Sequence, residues 1–288
     1  MRQRHPSDRP SSPGRPRKPR PDRPILKKRF GQHHLRSGAS CRPLLDFLKP
    51  RGVRVVEIGP GGGVLTRELV DAGASVWAVE VDIDWAFHLK RNQPDLAVLH
   101  LDALHFPWRS VPPGTFITGN LPFNVGTKLI DHTLEAATLE PARIPKLGYM
   151  VQKEVGERLV ADVGDAAYGA FSVLARARAD VSYLGTVPAR AFRPPPKVDA
   201  AFVGLRAKPP ICGPSRLDAY RRLVFAAFSK RRKMLRGVLG GAYGKAIIDR
   251  ALDRAEIDPT RRAENLSAAD FLRLLDAMPE VADKPNIR

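Results

Sequence analysis

Cysteine is nearly absent from this chain. Two thiols in 288 residues, Cys41 and Cys212, lie far apart and in no metal-ligand spacing. That excludes a disulfide framework and points to a reducing compartment. No run of about 18 apolar residues occurs, so no membrane span is expected. The N-terminus lacks the apolar stretch of a secretory signal. It is Arg-rich, as organelle transit peptides are, but Pro6, Pro10, Pro13, Pro16, Pro19, Pro21 and Pro24 would interrupt an amphipathic helix. A disordered basic arm over residues 1–24 of a cytoplasmic protein is the expectation. Acidic side chains are the scarcer sign, 30 Asp+Glu against 48 Lys+Arg, for a net charge of +18. Residues 2–29 hold eleven Lys/Arg against Asp8 and Asp22, about +9, and the other +9 is spread over the body. The arm alone could be a solubilising extension. A basic arm on a basic body points to a polyanion, most simply nucleic acid.

Two glycine signatures are incomplete in informative ways. Arg54-Val55-Val56-Glu57-Ile58-Gly59 reads as a strand buried on both faces apart from Glu57, running into Pro60-Gly61-Gly62-Gly63. Residues 64–70 then follow helical spacing, the first unit of a doubly wound sheet. Gly59-Pro60-Gly61 begins a dinucleotide fingerprint, but position 64 is Val, so the third glycine is missing. No phosphate-cradling Lys follows the loop, as a P-loop requires. The next strand, Ser75-Val76-Trp77-Ala78-Val79-Glu80, ends in an acid suited to two ribose hydroxyls. A third, residues 96–102, ends in Asp102, which could accept from an adenine amine. Separately each acid could be a solvated strand end. Together with the loop they lie at successive strand C-termini, where open α/β sheets bind ligands. A cofactor with ribose and adenine but no phosphate fits, and S-adenosylmethionine is the candidate.

About sixty residues on, Thr115-Phe116-Ile117-Thr118 leads into Asn120-Leu121-Pro122-Phe123-Asn124. Such a stretch can simply end a strand, with Pro turning the chain and Phe entering the core. It can also grip an extruded nucleobase. The ring of Phe123 stacks, and the Asn120 side-chain oxygen with a carbonyl of Leu121 or Pro122 accepts from an exocyclic amine.

Strands and helices alternate to about residue 206. Helices are expected over 40–48, 126–137, 153–162 and 169–178, and strands over 114–119, 146–152, 181–187 and 200–205. Phe192-Arg193-Pro194-Pro195-Pro196 cannot be helical. Beyond Pro209-Pro210 the pattern is helical only, over 216–239, 245–255 and 268–277. The expected organisation is an arm (1–24), a Rossmann-like class I methyltransferase unit of α/β class (25–208), and a small all-helical unit (209–288). Lys230-Arg231-Arg232-Lys233 and Arg236 fall on the first of those helices, as phosphate contacts or as an ordinary wet face.

Nine short motifs, in order, match one family. They are Lys28-Arg29-Phe30-Gly31-Gln32, Val56-Glu57-Ile58-Gly59-Pro60-Gly61, Val79-Glu80-Val81-Asp82, Asn120-Leu121-Pro122-Phe123-Asn124, Met150-Val151-Gln152-Lys153-Glu154-Val155, Tyr168-Gly169, Pro194-Pro195-Pro196-Lys197-Val198-Asp199, Phe228-Ser229-Lys230-Arg231-Arg232-Lys233 and Arg262-Ala263-Glu264-Asn265-Leu266. Over residues 27–277 the chain resembles the ribosomal RNA adenine N6-dimethyltransferases of the KsgA type, relatives of the Erm methylases, and the last two motifs favour the KsgA type. The resemblance implies dimethylation of two adjacent adenosines in the 3′-terminal hairpin of small-subunit ribosomal RNA during subunit maturation. It carries cofactor contacts to His33, Leu35, Gly59, Gly61, Glu80, Asp102 and Asn120, and gives Phe192 as a second stacking face, the other reading of Phe192 being a core aromatic. A monomer is expected. His33 stands where the family usually has Asn, Phe123 where Tyr is commoner, and Lys128 where Pro is frequent. His33 and His34 have no further Cys/His cluster beside them, and no metal is expected. Three readings compete: an Erm-like methylase of large-subunit RNA, a non-catalytic RNA-binding assembly factor, and a small-molecule methyltransferase, which leaves the charge unexplained.

Overall fold

The computed structural model describes Pro24, residues 33–230 and residues 232–278. The rest of the basic arm, the motif over 28–32 and Arg231 lie outside the described residues. The described residues begin with a two-residue strand β1 (His34–Leu35) and helix α1 (Arg42–Leu48), then alternate β2 (Arg54–Ile58), α2 (Val64–Asp71), β3 (Ser75–Glu80), α3 (Ile83–Asn92) and β4 (Ala97–His100). It returns through β5 (Phe116–Asn120), α4 (Gly126–Leu139), β6 (Lys146–Gln152), α5 (Lys153–Val160) and α6 (Ala170–Arg176). A hairpin-like pair follows, β7 (Ala179–Val187) and β9 (Ala200–Ala207), with the short β8 (Phe192–Arg193) between them. Among the described residues, four helices follow: α7 (Leu217–Phe228), α8 (Leu235–Tyr243), α9 (Lys245–Arg254) and α10 (Ala268–Asp276).

The seven-stranded sheet has the order β4-β3-β2-β5-β6-β9-β7. The first five strands are parallel, and β9 and β7 join antiparallel. Both faces are covered, so neighbouring strand residues enter opposite cores. Val55 packs with Leu44, Leu69 and Phe202, whereas Val56 packs with Ile130, Leu134 and Leu147. That is why the strands read as continuous apolar runs rather than alternating ones. α7–α10 share a third core with α6, centred on Tyr168, Leu223, Leu252 and Phe271. No helix among the described residues is long and apolar enough to cross a membrane.

The expected helix over 216–239 is broken. α7 ends at Phe228 and α8 starts at Leu235. Leu223, Val224 and Ala227 on α7 and Leu235 and Leu239 on α8 all enter that one core, and Leu235 N–H donates to the Arg261 carbonyl at 2.8 Å. The chain breaks between them, and both helices pack on that one core. Lys230, Arg232 and Lys233 are therefore in the bend, and Arg236 is on α8.

Candidate active site

β2 feeds outward to β3 and β4, and β5 returns on its other side. The strand order reverses between β2 and β5, and ligands of open α/β sheets bind at that switch point. The register brings Gly119 of β5 opposite Ile58 of β2, where a Cβ on Gly119 would meet the Ile58 carbonyl at 2.4 Å. Glycine there lets the two strand ends, and hence the glycine loop and Asn120, lie side by side. A cavity of about 280 Å³ opens above them. Its walls include His33, Leu35, Gly59, Gly61, Glu80, Asp102, Asn120, Leu121, Pro122 and Phe123.

Both Glu80 carboxylate oxygens are engaged. One accepts from Gly61 N–H at 3.0 Å and the other from Asp82 N–H at 2.9 Å. Burial pushes its pKa up, opposed by these backbone hydrogen bonds. Glu80 thus restrains the glycine loop, and each oxygen keeps a lone pair toward the cavity. Asp102 caps the following turn by accepting from Leu104 N–H at 2.9 Å with one oxygen. Glu57 lies at the cavity wall, 1% exposed, with one oxygen unpartnered. Burial lifts its pKa to about 8, and the neighbouring Glu80 charge adds to this.

The Asn120 amide nitrogen donates to the His33 carbonyl at 2.8 Å. A carbonyl can only accept, so this contact fixes which end of the amide is which and leaves the Asn120 oxygen to accept. The two carbonyls of the turn differ. Pro122 O already accepts from Val125 N–H at 3.2 Å and Gly126 N–H at 2.9 Å, opening α4. Leu121 is tied through its own N–H to Met150 O at 3.0 Å, which leaves its carbonyl the better second acceptor. The Phe123 ring is half-buried, 5.5 Å from the His33 imidazole and tilted 32° to it. His33 Nδ1 lies 2.9 Å from Pro194 O.

The sequence reading missed His34. This buried imidazole accepts from Gly62 N–H at 3.0 Å and stacks against Trp85 at 4.4 Å. A Cβ on Gly61, whose φ is +49°, would come within 2.6 Å of the His34 ring. His34 reaches the loop because β1 pairs with β8, with Leu35 opposite Phe192. The adjacent histidines were a visible signal, but the pairing that aims them was not.

Phe192 is a correction. It is fully buried, packed with Leu35 and Phe202 and absent from the cavity wall. It is the core aromatic, with no face for a base. Of the basic set, Lys230, Arg232 and Lys233 are exposed in the bend after α7, and Arg231 lies outside the described residues. Arg236 is held by both oxygens of Asp249, at 2.5 and 2.7 Å, so its charge is answered within the protein.

Among the described residues lining the cavity there is no Lys or Arg. Carboxylates facing it suit hydroxyls and amines, so the site fits the ribose and adenine of S-adenosylmethionine. A parallel sheet ending in an antiparallel pair, with a glycine loop after its first strand and acids after the next two, is that of the Rossmann-like, S-adenosylmethionine-dependent methyltransferases, and this protein is one of them.

Comparison with known proteins narrows the class. Residues 25–280 match the family described as ribosomal RNA adenine dimethylase. Curated relatives include the ribosomal RNA small subunit methyltransferase A of Methylococcus capsulatus, 39% identical over 88% of this chain and 97% of that protein. Its counterpart in Thiobacillus denitrificans is 41% identical over 85% and 94%. Among solved structures, a dimethyladenosine transferase from Plasmodium falciparum superposes with a TM-score of 0.72 at 24% identity, covering 86% of this chain and 98% of that one. The 23S rRNA methyltransferase ErmE gives 0.63 at 25% identity, covering 85% and 98%. The chain belongs to the ribosomal RNA adenine dimethylase family.

Proposed function

We propose that this protein transfers methyl groups from S-adenosylmethionine to N6 of two adjacent adenosines in the 3′-terminal hairpin of small-subunit (16S) ribosomal RNA, dimethylating each. The substrate is the immature small subunit, and the enzyme acts as a cytoplasmic monomer. The observation that carries the reading is the juxtaposition, in one cavity, of the glycine loop with Glu80 and Asp102 and of Asn120 with Phe123. The relatives' small-subunit names favour that RNA over the large-subunit RNA of ErmE.

Residues 25–208 form the transfer unit in this reading, and 209–288 the unit that holds RNA. Glu80 takes the ribose hydroxyls and Asp102 the adenine amine of the cofactor, along the wall that also includes Gly59, Gly61, Leu35 and His33. When bound, the cofactor supplies an electrophilic methyl on a good leaving group. The target adenine is unstacked from its RNA and lies on Phe123, a contact worth about 1–3 kcal/mol. Its amine donates to the Asn120 oxygen and the Leu121 carbonyl. Two acceptors pull the nitrogen toward tetrahedral geometry and aim its lone pair. No general base is needed, because the methylated ammonium is acidic and releases its proton to water. The protein's work is orientation. Lys230, Arg232 and Lys233 hold RNA phosphates, so affinity falls steeply with salt.

Asn120→Ala tests the assignment. Methyl incorporation into under-methylated small subunits should drop by two orders of magnitude or more while subunit binding stays within about threefold of wild type. Near-normal turnover by Asn120→Ala would remove Asn120 from the chemistry.

A further inference from the structure

Phe225 on α7 is a large apolar side chain left half exposed, at 50%. The Arg221 guanidinium, one helical turn earlier, lies 5.5 Å from its ring centroid. Arg221 is fixed from the other side, because its Nη2 is 2.6 Å from one oxygen of Asp131 on α4. The other Asp131 oxygen is 2.6 Å from Arg178, whose side chain is only 8% exposed. The cation beside the ring is thus held by an ion triad rather than left to move in solvent. Asp131 is five residues into α4, about 8 Å along the axis from the end that opens out of the Asn120–Asn124 turn. Toward the other end, α7 runs into the exposed Lys230, Arg232 and Lys233.

We infer that Phe225 and Arg221 form a stacking site for an unpaired base of the substrate RNA, separate from the pocket for the target adenosine. The inference rests on the reading of the protein as a ribosomal RNA methyltransferase. An aromatic ring with a planar cation beside it, set among further cations, is how proteins hold unpaired nucleotides, because every base offers a π-face and guanidinium groups stack on bases as well. Charge selects RNA over a protein partner. Arg216, Arg221 and Arg236 are answered by Asp276, Asp131 and Asp249, but the run Lys230-Arg231-Arg232-Lys233 that follows α7 holds four cations in succession with no acid among them. One exposed Phe needs no explanation on most surfaces. This one lies on α7, tied through Arg221 and Asp131 to the helix that opens out of the Asn120–Asn124 turn, and five residues before Lys230.

The test uses the full-length protein and under-methylated small subunits. Phe225→Ala should weaken subunit binding by about 5- to 150-fold, the equivalent of 1–3 kcal/mol. It should raise the KM for subunits more than it lowers kcat, and leave both S-adenosylmethionine affinity and the salt slope of RNA binding unchanged. Phe225→Tyr should restore binding to within about twofold, and Phe225→Leu, apolar but without a π-face, should not. Photoreactive benzoylphenylalanine at position 225 should crosslink to an unpaired ribosomal RNA base. Wild-type affinity in Phe225→Ala, full rescue by Leu, or crosslinking only to ribosomal protein would each overturn the stacking site while leaving the enzyme's function standing. If the wild type itself neither binds nor methylates small subunits, the functional reading fails and the stacking site goes with it.

Discussion

Replacing Glu57 by Gln should change how stability responds to pH. Glu57 is 1% exposed in the middle of β2, with one carboxyl oxygen lacking a partner. Burial, with the Glu80 charge adding to it, raises its pKa from an ordinary 4.5 to about 8. Below pH 4.5 the carboxyl is protonated in both folded and unfolded chains, and its contribution to stability is fully present. As pH rises through 4.5 the unfolded chain releases the proton while the folded chain keeps it. Stability is then lost at about 1.4 kcal/mol per pH unit until the folded carboxyl ionises near 8. Across about 2.5 pH units inside that window the loss is roughly 3 kcal/mol. Gln does not titrate, and the other ionisable groups are common to both proteins. The difference in unfolding free energy between wild type and Glu57→Gln, from urea denaturation at about pH 5 and about 7.5, should therefore shift by roughly 3 kcal/mol in favour of the variant at the higher pH. A difference that stays constant to within about 0.5 kcal/mol would refute a protonated Glu57 in the folded protein.

Two further outcomes follow from named contacts. Asp131→Ala leaves Arg178 buried without its partner and should cost about 3–5 kcal/mol in urea denaturation, a loss below about 1 kcal/mol counting against it. Burial pushes the Asp131 pKa up, but Arg178 and Arg221 outweigh that and hold it below the ordinary 3.8, so this stability is present above that value and fades as pH falls through the lowered one. Glu80→Gln replaces one of two acceptors with an amide NH2, a donor facing a backbone N–H, and calorimetric affinity for S-adenosylmethionine should drop by about 10- to 150-fold, from the 1.5–3 kcal/mol of a charge-assisted hydrogen bond. Unchanged affinity would show that Glu80 restrains neither loop nor ligand.

The parts of the site legible in the sequence are those encoded locally. β2 and β3 are mostly buried and read as apolar runs, so the Gly59 loop and Glu80 stand out at their ends. Asp102 follows the next strand, and Asn120 ends β5 just before its proline turn. The illegible parts depend on partners far along the chain. His34 reaches the loop only because β1 pairs with β8, about 160 residues away. Phe192, which the resemblance offers as a stacking face, is drawn into the core by the same pairing. The Pro122 carbonyl is spent on opening α4, which no residue pattern announces. The break between α7 and α8 is not legible, because the helical pattern runs straight through it.

The central claim is that the cavity directs dimethylation of adjacent adenosines in small-subunit RNA. Purified protein should be incubated with labelled S-adenosylmethionine and small subunits lacking these methyl groups, and the modified nucleotides mapped. The account predicts up to four methyl groups per subunit, two on N6 of each of two neighbouring adenosines in the 3′-terminal hairpin, and none on large subunits. Label confined to large-subunit RNA, or found on a base other than adenine, would contradict it.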